Sequence, residues 1–292
     1  MLIEFICDTP NQKILKVLSA KYPDIPYNKL NMLLRKRDIR VNGKRISSNV
    51  VVNRGDAVQV YISQIEDPSR KANVKLFYID DNILIVDKSQ DIEIEGKNPL
   101  TSELQKEYSY VRPCHRLDRN TGGLVVFALN EKAYNEMAKA FDDRTIEKYY
   151  LALCVGTFEE KGKKLEAYLF KDSRKARVYI SDKPKKGFVP IITEYRVLEE
   201  FDNLSLVHIN LITGRTHQIR AHMAHIGHPI LGDGKYGRNE ANKKYGVNKQ
   251  QLFAHKLKFN FKKDSPLYYL NSLVFENKLY EKDLLEFRGL SN

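Results

Sequence analysis

A polar stretch without periodicity, QIEDPSRKANV at residues 64–74, constrains this chain most, because the residue pattern before it differs in kind from the pattern after it. A chain of 292 residues that changes pattern across such a break reads as two domains. The expected division is a small domain over 1–65, a linker over 66–73 and a large domain over 74–292.

Before the break, Ile14, Leu15 and Leu18, then Leu30, Leu33 and Leu34, follow a helical period that Pro23 and Pro26 interrupt, which predicts two short helices. A short strand, an Asn42-Gly43 turn, a return strand and a last strand from Ala57 follow. Lys29, Arg35, Lys36, Arg37, Arg40, Lys44 and Arg45 crowd the second helix and the hairpin, with Asp38 the only acid among them. A charge run of this kind is either a solvated face or a contact for a polyanion.

After the break, VKLFYIDDNILIVDKS reads as a hairpin around Asp80-Asp81-Asn82. NPLTSELQKEYS reads as a short helix that Thr101 or Ser102 would cap, and NEKAYNEMAKAFDD as a helix capped by Asn130 with Tyr134, Met137, Ala138 and Phe141 on one face. LVVFAL, KYYLALCVG, ITEYRVLEEF and LSLVHINLI are strands, the last with Leu204, Leu206 and His208 on one side. THQIRAHMAHIG is helical up to Gly227, and 236–251 reads as a polar loop. Strands outnumber helices and many are joined by short turns, so the fold class is α+β, on a mostly antiparallel or mixed sheet.

Lys plus Arg number 49 against 37 Asp plus Glu, a formal charge of +12, which favours nucleic acid over a membrane as partner. No apolar stretch approaches the roughly 20 residues that span a bilayer, and Glu4 stands where a signal peptide would carry base. Cys7, Cys114 and Cys154 are far apart without a C-x-x-C, so neither a disulfide framework nor a zinc site is expected, and a cytoplasmic location fits. His217, His222, His225 and His228 sit five, three and three residues apart, spacings that do not converge on one helix face, so no metal is expected.

In HRLDRNTGGL, Arg116 and Asp118 lie two residues apart in an extended segment and share a side, so they form a structural ion pair or take part in chemistry. Cys114 and His115, being adjacent, face opposite ways. LITGRTHQIRAH runs from a strand end through Gly214 into a helix start and supplies Arg215, Thr216, His217 and Arg220, a junction suited to holding phosphate or carboxylate.

Three stretches, HRLDRNTGGL, EKYYLALCVG and LITGRTHQIRAHMAHIGHPILGDGKYG, together resemble the RluA family of pseudouridine synthases over residues 74 to about 262. The basic helix pair with its R-V-N-G-K turn, residues 12–62, resembles the S4 RNA-binding module. The resemblance implies a pseudouridine synthase fold behind a small S4-like domain, and an RNA substrate, ribosomal by analogy with the branch of this arrangement. It implies that Asp118 is catalytic, that Arg220 pairs with it and that Tyr150 stands beside the uracil. Arg116 would approach a flipped nucleotide, with Thr121, Arg215, Thr216 and His217 around the substrate. Two departures stand out: Gly122 replaces the serine of T-S-G-L, and Lys88-Ser89-Gln90-Asp91 replaces K-P-x-G.

Converting uridine to pseudouridine breaks N1–C1′ and re-bonds the base through C5, without redox change or phosphate transfer, so no cofactor is expected. A carboxylate must act at C1′ or C2′, and a cation must keep it ionised. Tyr150 would stack on the uracil or accept the C5 proton. A monomer is expected. Two rival readings are a glycoside hydrolase, with Asp233 as second acid, and a non-catalytic RNA-binding protein.

Overall fold

The computed structural model describes residues 2–22, 27–61, 74–96 and 99–289, and the expected linker 66–73 lies outside them. The chain forms two compact units, Met1–Ile85 and Val86–Asn292.

The first unit begins with β1 (Leu2–Ile6), β2 (Gln12–Lys13), α1 (Ile14–Lys21) and α2 (Tyr27–Arg35). β3 (Ile39–Val41), β4 (Lys44–Ile46), β5 (Val51–Val52) and β6 (Ala57–Tyr61) follow. The apolar positions that predicted the helices are the ones buried: Ile14, Leu15 and Leu18 of α1 meet Leu30, Leu33 and Leu34 of α2 over Ile39, Val58 and Val60 of the sheet. Four strands pair in the order β1-β6-β3-β4, and β2 pairs with β5. Asn42 and Gly43 take positive φ, +50° and +76°, as a two-residue hairpin turn requires. The Asn42 side chain braces that turn, donating to Asp56 at 2.8 Å and accepting the Ala57 N–H at 2.9 Å. Lys36, Arg37, Lys44 and Arg45 are exposed, and the Arg40 guanidinium lies over the Tyr61 ring at 4.9 Å. Lys29 lies in α2, and its side chain is outside what the structure describes. A hairpin of β7 (Val74–Ile79) and β8 (Ile83–Lys88) closes on Asp80, whose Oδ1 accepts the N–H groups of Asn82 and Ile83. The division between the units falls within β8.

The second unit contains α3 (Leu100–Gln105), β9 (Arg112–Pro113), β10 (Gly122–Ala128), α4 (Glu131–Asp142), β11 (Ile146–Val155), β12 (Gly162–Asp172) and β13 (Arg177–Ser181). It continues with β14 (Val189–Phe201), β15 (Leu204–Leu211), α5 (Gln218–His225), α6 (Asn239–Lys244), β16 (Leu252–Phe259), β17 (Phe275–Glu276) and α7 (Leu279–Leu285). Its sheet runs β13-β12-β14-β15-β11-β16-β10-β8, mixed because β10 and β16 pair in parallel while the pairs from β13 to β16 are antiparallel. The architecture is therefore α+β. One core lies between the sheet and α7, with Leu151, Leu153, Leu204, Leu206 and Leu284, and another joins Ala167, Leu169, Val178 and Ile191 to Ala221 of α5. No helix of the described residues is long and apolar enough to cross a membrane.

Several expectations change. Pro99, not Thr101 or Ser102, precedes α3, and the Thr101 hydroxyl instead donates to the Ile94 carbonyl at 2.7 Å. Asn130 does cap α4, by accepting the Ala133 N–H, but the buried stripe is Ala133, Met137 and Ala140. β15 is buried on both sides from Leu204 to Val207, because both faces of the sheet are covered there. The supposed loop 236–251 contains α6.

Candidate active site

The segment before β10 is pinned from beneath. Lys88 is fully buried, and its ammonium donates to the carbonyls of Ser89, Ile92 and Arg119 at 2.9, 3.0 and 3.1 Å. Burial pulls its pKa down to about 8, against the opposing pull of Asp118, Asp91 and Asp87. The Thr121 N–H donates to the Asp118 carbonyl at 3.0 Å, closing a turn, and the Thr121 hydroxyl accepts from Gln250 at 2.8 Å. His115 accepts the Val126 N–H, and burial, then the nearby Lys148 charge, holds its ring neutral with a pKa near 3. Leu117 turns into the core, so Asp118 turns out, half-buried, at the wall of a cleft.

The glycines after Thr121 allow β10 to approach β16. Gly123 has φ +115°, and a Cβ there would lie 2.2 Å from the Ala254 carbonyl oxygen. A Cβ on Gly122 would lie 2.8 Å from the Phe253 ring, which explains why a side chain is missing at this position. Ala254 pairs with Gly123 on one side and with Tyr150 on the other, so one residue of β16 joins the strands that carry the two halves of the site.

On the far half, α5 presents Arg220. Its Nη1 lies 3.1 Å from Asp118 Oδ2, while its Nε and Nη2 grip both oxygens of Asp233 at 2.7 and 3.0 Å. Asp233 is itself fixed, because its Oδ1 accepts the N–H groups of Lys235 and Tyr236. Those bonds and the arginine hold the Asp233 carboxyl below its usual range despite burial. The two carboxylates raise the Arg220 pKa against the opposing effect of burial. Asp118 thus pairs with Arg220, and the alternative partner from the two-residue spacing, Arg116, is exposed at the rim.

His217 precedes α5 in a left-handed conformation, φ +53°, with Nε2 3.8 Å from Asp118 Oδ2 and Nδ1 3.0 Å from the Tyr236 hydroxyl. Burial outweighs Asp118 and lowers its pKa. Gln218, buried, accepts from the Thr213 hydroxyl and the Arg215 N–H and donates to Ile192 and Thr193, which locks the 213–218 turn. Sequence reasoning missed Gln218, as well as Lys88 as a clasp. Arg215 and Thr216 stand exposed on the same rim.

Tyr150 follows a register shift in the pairing of β11 with β16, and its ring lines the cleft, 5% exposed. Burial first, then Asp118, pushes its phenol far up. Its neighbour Tyr149 stacks instead on His208 at 5.2 Å. The cleft holds about 400 Å³ beside Asp118, Phe141, Lys148, Tyr150 and Arg220, and a second hollow of about 580 Å³ lies on the Glu93, Arg116 and Lys235 side of the same aspartate. The four histidines near α5 go separate ways: besides His217, His222 meets Thr193, His225 meets Asp182, and His228 stacks on Phe158 at 3.7 Å.

Residues 82–225 match the profile of the family described as RNA pseudouridylate synthase. Ribosomal large subunit pseudouridine synthase C of Vibrio vulnificus (strain CMCP6) is 30% identical over 274 residues, covering 86% of this chain and 86% of that protein. The chain belongs to the RNA pseudouridylate synthase family. The protein of the same description from Escherichia coli (strain K12) is 29% identical over 281 residues, covering 88% of each. The solved structure of human RNA Pseudouridylate Synthase Domain Containing 1 overlays with a TM-score of 0.57 at 27% identity, covering 74% of this chain and 95% of that one. As a pseudouridylate synthase, the protein isomerises uridine in RNA. The family match contains Asp118, Tyr150 and Arg220, whereas Asp233 lies beyond it. Because both oxygens of Asp233 are committed to Arg220, it is not free to act as the second acid that a glycoside hydrolase needs.

Proposed function

We propose that this enzyme converts uridine to pseudouridine in large-subunit ribosomal RNA, with Asp118 as the carboxylate that acts on the ribose. The observation that carries this reading is the half-buried Asp118, 3.1 Å from an arginine that a second, buried aspartate holds in place. A carboxylate so placed can attack C1′ or abstract the proton at C2′, and the cleft beside it gives the detached uracil room to turn. N1–C1′ breaks, C5–C1′ forms, the C5 proton leaves and N1 gains one, so the atoms balance without a cofactor. Tyr150 stacks on the base, and its place beside the base also lets it serve the C5 proton, directly or through water. Arg116, Thr121, Arg215, Thr216 and His217 surround the substrate, with the exposed arginines on phosphates. The ribosomal target is supported by the names of the relatives, and the RluA branch by the motifs quoted above.

The basic α2 and β3–β4 hairpin, Lys29, Arg35, Lys36, Arg37, Arg40, Lys44 and Arg45, act as an S4-like RNA-binding module over residues 1–65, joined through 66–73 to the catalytic domain over 74–292. The enzyme acts as a monomer in the cytoplasm, the latter supported by the three free thiols.

Carbodiimide mapping of ribosomal RNA incubated with the wild type and with Asp118→Asn tests the reading. Wild type should create a uridine-specific stop that the variant does not, and a stop made equally by both would remove Asp118 from the chemistry. Lys36/Arg37/Arg40→Ala should weaken RNA binding and its salt dependence, and unchanged affinity would sink the S4-like assignment.

A further inference from the structure

The second unit buries two lysines beside the site, and they are solved differently. Lys88 gives its three protons to three carbonyls. Lys148, 8% exposed on β11, has no hydrogen bond or ion pair among the described residues. Its nearest recorded companions are the Phe141 ring, 5.5 Å away, and the like charge of Arg144. Its ammonium is not sealed from solvent: it opens into the cleft as a cation with no partner among the described residues, so it is free to meet what enters there.

Lys148 lines the same cleft as Asp118, two residues before Tyr150 and so on the same face of the strand, about 7 Å along it. Arg144 lines that end too, and Asp142, the acid on this rim, forms no ion pair with either cation. Two cations that face one hollow, neither paired with Asp118 or Asp142 of its lining, favour an anion there. At neutral pH the anions of an RNA are its phosphates. We propose that Lys148, with Arg144 beside it, binds a backbone phosphate of the nucleotide whose base stacks on Tyr150. The cation is left unpaired in the free enzyme so that the substrate completes it. This rests on the cleft being the uridine site, and makes Lys148 a substrate-binding residue of that cleft.

The test uses the full chain, ribosomal RNA as probe, and Lys148→Met and Lys148→Arg. Lys148→Met should raise the Kd about tenfold, and should flatten the slope of log affinity against log salt by about 0.7 to 0.9, the share of one phosphate contact. Lys148→Arg should recover both. Thermal melting of Lys148→Met should stay close to the wild type, since the ammonium has no partner among the described residues to lose. The wild-type affinity and slope in Lys148→Met would overturn the proposal, as would a loss of turnover at saturating RNA with both unchanged. A lower melting temperature would overturn the premise that the ammonium is unpaired. Repeating the salt titration in Asp118→Asn separates the two readings: an Asp118→Asn enzyme that still isomerises removes the catalytic assignment but leaves the Lys148 slope to stand or fall alone.

Discussion

Asp233 never reaches the cleft wall, yet it fixes how Arg220 meets Asp118. Asn at 233 keeps the shape, removes the charge and places an amide N–H where Arg220 already donates. Asp233→Asn should therefore cost about 3 kcal/mol in urea unfolding, as for a broken buried pair, and should lower turnover by at least tenfold while Asp118 remains in place. Unchanged turnover in a folded variant would mean that Asp118 alone positions the arginine. At this scale the sequence was legible where a motif names a residue and its partner, as for Asp118 and Arg220. It was not legible where the partner is 13 residues away behind a turn: Asp233 read as a candidate acid, because nothing in GDGKYG shows that its oxygens are already occupied. Lys88 read only as the start of a departing loop, since its three acceptors are backbone carbonyls, and carbonyls leave no trace in residue type.

Elements were legible to the degree that their burial is one-sided. The helix pair α1 and α2 shows its stripe in the sequence, and Asn42-Gly43 shows its turn. β16 does not, because LFAHKLKF is enclosed by neighbours on both edges and buries His255 between apolar residues. β12 hides its alternation of Leu165, Ala167 and Leu169 among lysines. α6 has no buried residue and hence no stripe for periodicity to find; its Asn242 instead accepts the Gly232 N–H at 2.7 Å. The departure at Gly122-Gly123 is an element-scale fact as well, since it sets how closely β10 lies against β16. Gly123→Ala must both adopt φ +115° and displace the Ala254 backbone, so it should lose at least about 2 kcal/mol. Gly122→Ala meets the Phe253 ring at 2.8 Å and backbone only at ordinary contact distance, with no positive φ to adopt, and should lose less. Denaturant midpoints for the two variants check this order, and the reverse order would contradict the close approach.

For the whole molecule, buried histidines tie stability to pH. His222 and His255 are 2% and 5% exposed, and burial is the first cause that takes their pKa values down to about 4 and about 3. Both values lie below the ordinary 6.5, so unfolding below pH 6.5 takes up protons that the fold refuses. Their contribution is complete above pH 6.5 and is lost as pH falls toward 4, at up to about 1.4 kcal/mol per pH unit for each ring. Urea midpoints should fall from pH 7 to pH 5, and a level profile across that window would show that these rings do not resist protonation. The α+β class was legible from the count of strands, whereas the place where the two units divide, within β8 and not at the break at 64–74, was not, nor was the order of strands, because pairing partners are set by the packed sheet and not by neighbours in sequence. That order has a consequence for timing. Asp118 belongs to the side of β8 and β10, Tyr150 and Arg220 to the side of β11 and α5, and β16 alone lies between β10 and β11. A chain emerging from the ribosome makes both sides before it makes the strand that joins them. Until residues 252–259 are out, the strand that lies between the side carrying the aspartate and the side carrying the arginine is missing, so the last step of building the site is the closing of one seam of the sheet.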